Sequence, residues 1–514
     1  MFLGLDLGTS GLKAILVDEE GSIIAAKTCA LTVQRPAPGW SEQTPANWWA
    51  ALLDAVDSLK ADYPKELAAV RAIGLSGQMH GAVLLDAADQ ILRPCILWND
   101  TRAERECRDL ERQFPELRLI TGNAAMPGFT APKLMWVSRN EPEVFRRIAR
   151  VLLPKAWLRL CLSGESFEDM SDASGTLWLD VGARCWSQQM LAATGLAKSM
   201  MPTLVEGNAP AGRLRPTLVA RWGMTVVPLI AGGAGDNAAG AIGLGAVAPG
   251  SSFVSLGTSG VLWSTTERFR PYPDRGVHSF CHALPHLWHQ MGVTLSAAAS
   301  LSWWASITGH SESALIEELT NEPVLPGKVV FLPYLAGERT PHNNGDLRGS
   351  FANLSADNSR AEMTKAILEG VAFSIRDCLD ALTASGTSVL EADVIGGGSR
   401  SRIWVAILAS VLGIPLHRIE EGEHGAALGA ARLARLALTG EHPSAVCHAP
   451  ARVETILPGE AARDLYADSI VTFRRLYPSA LASKRKESRT AEIDRNSAGI
   501  YAGHPPTPGR HSPQ

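Results

Sequence analysis

Two short stretches of the chain have the residue types and spacing to grip a polyphosphate. Leu7-Gly8-Thr9-Ser10-Gly11 recurs letter for letter as Leu256-Gly257-Thr258-Ser259-Gly260. Glycine lets the backbone approach phosphate oxygens, successive amides can point the same way, and the hydroxyls of Thr9, Ser10 and Thr258 add donors. Two such turns facing each other across a cleft could hold a triphosphate from both sides. A single turn of this kind could equally be an ordinary tight hairpin; the duplication favours the phosphate reading. The copies differ at the preceding residue, which is Asp6 in the first and Ser255 in the second. A carboxylate beside a phosphate turn repels its ligand unless a cation lies between them. Mg²⁺ is the expected cation, reached by Asp6 through water, because it binds through few carboxylates, several waters and phosphate oxygens. The plain alternative for Asp6 is a surface turn aspartate.

A second group of residues could handle an alcohol. The segment Ala231–Gly240 (AGGAGDNAAG) follows a strand expected at Val226–Ile230 and opens an Ala/Gly-rich helix at Asp236-Asn237. Asp236 suits two compatible roles, capping that helix and accepting the proton of a substrate hydroxyl as general base. Asn237 would bond a sugar hydroxyl or share the cap. Gly77-Gln78-Met79-His80-Gly81 joins strands expected at Ala72–Leu75 and Ala82–Leu85 as a hairpin loop, in which His80 is either a structural group or a ligand. Further on, a strand at Val394-Ile395 runs through Gly396-Gly397-Gly398 into a helix. Without side chains, Gly397 and Gly398 could let the flat ring of adenosine lie against backbone, near a positive helix end. A tight strand-to-helix turn is the alternative. The chain has no GxxxxGK[ST] and no GxGxxG, and neither HExxH nor GxSxG, so P-loop, dinucleotide, zinc-hydrolase and serine-hydrolase chemistries find no support.

These residues need a scaffold, and the pattern around them describes one. Alternating strands and helices, such as those expected at Pro45–Ala61 and Arg102–Phe114, indicate α/β layers. The repeated hairpin near the start of each half implies two related domains, expected at 1–245 and 246–480. Glu421–Ala431 (EGEHGAALGAA) reads as a tightly packing small-residue helix. Residues 481–514, rich in Pro, Ser and charge, read as a disordered tail. At 514 residues the chain exceeds what one hydrophobic core supports. A net charge of -4 offers no basic stripe for a nucleic acid. The eight cysteines show no metal or CxxC spacing, which suits reduced thiols in a cytoplasmic protein. An acidic residue interrupts the apolar N-terminal run, and no apolar stretch is long enough to span a bilayer. Neither a signal peptide nor a membrane association is therefore expected.

Together these residues resemble the FGGY family of carbohydrate kinases. The likeness runs from Phe2 to about Gly440 and includes GLDLGTSGLKA, Gly39–Trp49 (GWSEQTPANWW), Leu75–Val83, Ile96–Ala103 and Lys133–Trp136 (KLMW). It continues through GGAGDNAAGAIG, SLGTSGV, Phe331–His342 (FLPYLAGERTPH), Leu368–Asp377 and GGGSRSRIW. The resemblance implies two ribonuclease H-like, actin-like ATPase domains with a catalytic cleft between them, and ATP with Mg²⁺ as the phosphoryl donor. It implies that Asp236 accepts the proton, Met79 and His80 touch the sugar, Asp6 supports the metal–phosphate end, Thr9 and Thr258 hold phosphates, and Gly397 and Gly398 take the adenosine. Within the family, the resemblance of the QMHG loop implies a ketose, D-xylulose, rather than glycerol. Open alternatives are a kinase of another ketose or polyol (ribulose, glycerol, gluconate), a non-catalytic sugar sensor, and a partner-moving ATPase of the same architecture. A homodimer is compatible with the family.

Overall fold

A computed structural model describes residues 1–319, 324–420 and 425–478. The expected tail at 481–514 lies outside the described residues, as do 421–424 of the expected small-residue helix.

The first half is built on β1 (Phe2–Leu7), β2 (Gly11–Val17), β3 (Ile23–Ala30), β4 (Ala72–Gly77), β5 (Pro210–Arg213), β6 (Leu229–Ala231) and β7 (Ala234–Gly235). Strands β1, β2 and β3 form an antiparallel meander, and β4 joins β1 in parallel, giving the order β3-β2-β1-β4-β6-β5 with β7 also beside β4. The second half repeats the plan with β8 (Ser252–Leu256), β9 (Gly260–Thr266), β10 (His278–Cys281), β11 (Trp288–Thr294), β12 (Ala392–Ile395), β13 (Leu416–Ile419) and β14 (Arg452–Ile456). Its order is β10-β11-β9-β8-β12-β13-β14, again with the first strand antiparallel to the second and parallel to a later one. Each LGTSG copy therefore sits at the same place, at the tip of the first hairpin of its sheet.

Helices α1 (Pro45–Asp62), α2 (Pro154–Ser163), α3 (Met170–Ser174) and α4 (Asp236–Gly243) belong to the first half. In α1, Trp48, Leu52, Val56 and Leu59 recur at helical spacing, and they bury against Leu3, Leu5, Leu7 and Leu12 on one face of the sheet. Helices α5 (Ala298–Thr308), α6 (Arg360–Ala384), α7 (Arg402–Leu412) and α8 (Ala426–Thr439) follow in the second. Helix α6 starts at a reciprocal cap between Ser359 and Glu362, and its Leu368, Val371 and Ile375 fill the second core.

The opposite face of the first sheet is covered by α8, a helix of the second half. Phe2, Ile15, Val17 and Ala72 bury against its Ala427, Leu428, Ala431 and Ala434. The approach is close enough to require glycine in the sheet. A Cβ at Gly4 would lie 2.1 Å from the Ala427 carbonyl oxygen, and one at Gly74 1.8 Å from that of Ala430.

One expected local structure is absent. The strand at Val83–Leu85 does not return on β4 as a hairpin; it pairs antiparallel with Arg150–Leu152 in a separate small sheet. The reason lies in the loop, where His80 takes a left-handed backbone conformation (φ 69°) and Gly81 lies against Pro154 and Cys95. The chain is thereby directed away from β4. The strand expected at Val226–Ile230 begins later, as Leu229–Ala231.

Candidate active site

The two halves enclose a cavity of about 270 Å³. Met79, His80, Trp98, Phe129, Asp236 and Asn237 line it from the first half, and Ser259, His278, Phe280 and Arg339 from the second. Four of the residues singled out in the sequence, Met79, His80, Asp236 and Asn237, thus share one wall.

Asp236 stands where β7 turns into α4. Gly235 occupies the N-cap position and Asp236 is the first helical residue, so the expected capping role is not what the structure shows. Its carboxylate instead accepts from the backbone N–H (2.7 Å) and side-chain amide (3.0 Å) of Asn237, leaving its second oxygen without a protein donor among the described residues. Burial, and then the nearby Asp6 carboxylate, push Asp236 up to about 7. Burial likewise raises Asp6, against a smaller opposing effect of the Ser76 side chain, and its Oδ1 finds no hydrogen-bond partner among the described residues. A buried carboxylate with an orphaned oxygen, near enough to a second carboxylate for its charge to be felt there, fits a divalent cation that arrives with a phosphate ligand.

The turn holding Asp236 is fixed from both sides by buried groups. Arg159 donates to the carbonyls of Ala231 and Gly232, and Ser171 Oγ accepts from the Gly235 N–H at 3.1 Å. Behind them, Lys155 Nζ lies 2.6 Å from Glu168, 2.7 Å from Asp169 and 3.5 Å from Asp172. These three carboxylates are close enough together to suggest a metal site, but the lysine ammonium already takes the cation's place.

His80 is held in one tautomer. Its Nδ1 lies 2.7 Å from the Gly175 carbonyl, an acceptor, so Nδ1 carries the proton and Nε2 presents a lone pair. Burial drives its pKa down to about 3, keeping the ring neutral. Phe129 packs edge-on against it at 4.6 Å. The His80 carbonyl accepts from Lys133 Nζ (2.9 Å) and Thr130 Oγ1 (3.1 Å). Met79 packs beneath Gly235, where a Cβ would lie 2.8 Å from its sulfur.

The repeated pentapeptides do not fold identically. In the first, Leu7 opposes Leu12, leaving a four-residue turn Gly8–Gly11; in the second, Leu256 opposes Gly260, leaving only Gly257, Thr258 and Ser259. Thr9 is not a free donor. Its hydroxyl donates to Gln78 Oε1 (3.1 Å) and accepts from Trp98 Nε1 (2.9 Å), while its carbonyl accepts from Gln43 Nε2 (2.8 Å). Thr9 therefore ties the turn to the Gln78–His80 loop, and the exposed Ser10 remains the open hydroxyl. Thr258 and Ser259 are both exposed; Ser259 reaches the cavity, whereas Thr258 lies outside its lining. The Gly396–Gly398 turn abuts this second pentapeptide, with Gly396 (φ 86°) over the Leu256 carbonyl. Gly397 is open above its Cα, but Gly398 is buried under Leu256 and Trp404. Of the two expected adenosine contacts, only Gly397 offers surface.

Sequence reasoning missed Trp98, Phe129, His278, Phe280 and Arg339. Arg339 lies within the quoted FLPYLAGERTPH stretch, yet no spacing there marks a ligand contact. Trp98 and Phe129 arrive from separate loops of the first half, while His278 and Phe280 alternate along β10, a short pattern that an ordinary half-buried strand would show as well.

No helix among the described residues is long and apolar enough to cross a membrane. All eight cysteines are free.

Residues 1–243 match the N-terminal domain of the FGGY family of carbohydrate kinases, and residues 252–438 match its C-terminal domain. The chain is 48% identical to a xylulose kinase of Escherichia coli strain K12 over 483 residues, covering 94% of this chain and 99% of the relative. It is 49% identical to a xylulose kinase of Klebsiella pneumoniae over 442 residues, covering 86% and 91%. Among solved structures it resembles a xyloylose kinase from Brucella ovis, with 53% identity, a TM-score of 0.92, and coverage of 94% and 99%. A Plasmodium falciparum glycerol kinase, at 20% identity, shares the fold with a TM-score of 0.84 over 93% of this chain and 98% of that one. With two sheets that share a central strand order, a cleft between them and a family match over most of its length, the chain belongs to the FGGY family of carbohydrate kinases.

Proposed function

We propose that this kinase transfers the γ-phosphoryl group of ATP to the terminal hydroxyl of D-xylulose, giving D-xylulose 5-phosphate and ADP, with Asp236 as general base. The observation that carries the reading is the Asp236 carboxylate, pushed up to about 7 and opening into a cavity formed by both halves. A base with its pKa near the working pH combines a useful deprotonated fraction with a real affinity for the hydroxyl proton. The names borne by the close relatives support the choice of ketose.

In this reading the ketose lies in the cavity, against Met79, the lone pair of His80 Nε2 and the amide of Asn237. Asp236 takes the hydroxyl proton as the oxygen attacks phosphorus in line. Backbone amides of the two glycine turns, with Ser10, Thr258 and Ser259, meet the phosphates, while Thr9 holds the first turn in register. The open surface at Gly397 faces adenosine. Asp6 would hold Mg²⁺ through water, and the cation supplies charge neutralisation at the phosphates when bound. Positioning and charge stabilisation provide most of the rate in such a transfer, and closure of the halves keeps water from the phosphoryl group. The same proposal assigns sugar binding to residues 1–245 and nucleotide binding to 246–480, in the cytoplasm.

The test is ADP release with ATP and Mg²⁺ across a panel of ketoses and polyols, on wild type and Asp236→Ala. Preference for D-xylulose, lost in the variant, supports substrate and base together. Stronger turnover on another sugar replaces the substrate and keeps the base. Sugar-dependent turnover surviving in Asp236→Ala rules the base out.

A further inference from the structure

Arg339 is a cation of the cavity wall whose guanidinium no carboxylate bonds among the described residues. It is donated by the second half, from the segment that follows Tyr334, and faces the pocket otherwise built on His80, Asp236 and Asn237. Among the described residues it forms no ion pair; its neighbour Glu338 favours the guanidinium by charge, but its carboxylate oxygens accept from the Thr294 hydroxyl (2.7 Å), the Leu295 N–H (3.0 Å) and the backbone N–H of Arg339 itself (2.8 Å). The side-chain partner recorded for Arg339 is His278, with Nη1 3.4 Å from Nε2.

The identity of that partner follows from the bonds behind it. Asn123 donates its amide to the carbonyls of Thr121 (2.8 Å) and Ser279 (3.0 Å), so its Oδ1 faces His278 as an acceptor. His278 Nδ1, 2.9 Å from that oxygen, is then the protonated nitrogen, and Nε2 offers a lone pair to the guanidinium. A neutral imidazole orients Arg339 without neutralising it. A guanidinium carries five N–H donors and no acceptor, and a half-buried cation with one long neutral contact is incompletely satisfied. The missing acceptors must come from what fills the cavity.

Resting on the proposed function, we infer that Arg339 contacts the acceptor sugar, donating to neighbouring oxygens of the ketose from the half opposite the base. The planar fork matches two adjacent oxygens on a polyhydroxy chain. Its surroundings favour the sugar over the transferred phosphoryl group. Its charge acts on His80 and His278, and His278 stacks on Phe280 at 5.6 Å and packs against Phe129 at 5.8 Å. This is the neutral aromatic side of the cavity. Because Asp236 and Arg339 belong to different halves, a sugar touching both would draw the cleft shut.

Calorimetric titration of D-xylulose and, separately, of a non-hydrolysable ATP analogue into wild type, Arg339→Gln and Arg339→Lys tests this, with steady-state kinetics alongside. Both variants should weaken D-xylulose by about tenfold or more, the loss expected for charge-assisted bonds, and should leave nucleotide affinity within about twofold. Lysine keeps the charge and loses the fork, so it decides the matter if the glutamine variant does not fold. Undiminished ketose affinity overturns the inference, as does a parallel loss of both ligands, which marks a structural role. A fall in kcat with ketose affinity intact overturns it too, placing Arg339 on the phosphoryl group. A wild type that neither binds nor phosphorylates a ketose removes the proposed function itself and this contact with it; normal wild-type turnover with insensitive variants removes only the contact.

Discussion

At the residue scale, the Asp6–Asp236 pair links stability to the proposed catalysis. Asp236 is raised from an ordinary carboxylate value of 3.8 to about 7 by burial and then by Asp6, so the folded protein holds this proton more tightly than the unfolded chain. Ionised Asp236 therefore destabilises the fold; the penalty is absent below the unfolded value, grows between the two, and is complete above about 7. Asp236→Asn should lose turnover yet raise Tm over wild type, with a larger gain at about pH 8 than at about pH 5. Thermal melts at both values check it, and an equal or reversed gain contradicts the assignment. With Asp236 as the proposed base, the same shift predicts that kcat/KM falls below about pH 7 as it is protonated. In Asp6→Asn the second cause of the shift is gone, so whatever activity remains should have its acid limb at lower pH. An unmoved limb would mean that the titrating group is not Asp236.

At the element scale, the decisive contact is a crossing of two small-residue helices. Helix α4 carries Asp236, the proposed base, and α8 arrives from the second half; a Cβ at Gly429 would lie 1.8 Å from the Ala239 carbonyl oxygen. The obstacle is backbone, which cannot rotate away, so the helices must separate. Gly429→Ala should cost about 1–3 kcal/mol of stability, the usual penalty of overpacking, and lower kcat through displacement of Asp236. Denaturant unfolding beside kinetics measures both, and unchanged stability would show that the crossing is looser than described. The composition of α8 made its tight packing legible in the sequence. Its destination was not, because a run of Ala and Gly reports how near a neighbour comes, not which sheet that neighbour belongs to. The repeated pentapeptide revealed the twin hairpins, but not the one-residue difference between their turns, which depends on what packs behind each. The hairpin expected across Gly77–Gly81 failed for a similar reason. The left-handed backbone at His80 is set by the Gly175 carbonyl and the Lys133 ammonium, partners about 50 to 95 positions away. Arg339 and the aromatic wall were hidden altogether, since they meet only when the two halves do.

At the scale of the whole molecule, the halves are interlocked in a way that a division at the second hairpin does not suggest. The first sheet has α1 on one face and α8 on the other, so chain order and structural support diverge. Removing α8 would uncover Phe2, Ile15, Val17, Ala72 and Leu229, and would leave Gly4 and Gly74 facing an open groove. It would also take away the partner of α4, the helix that presents Asp236. A fragment of residues 1–245 contains every sugar-contacting group proposed from the first half, yet it should not form the sugar site. Such a fragment is expected to bind an apolar dye, to unfold without a cooperative transition, and to show no measurable affinity for D-xylulose, while the full chain does the opposite. The physical reason is that exposed sheet faces of this kind are stabilised only by burial, at roughly 25 cal/mol per Å² of apolar surface. A monodisperse fragment with a sharp thermal transition and wild-type affinity for the ketose would show that α8 is an accessory to the first sheet. Cooperative folding with no ketose affinity would be more informative still, for it would leave the fold of the first half independent and assign the missing affinity to the wall that carries Arg339.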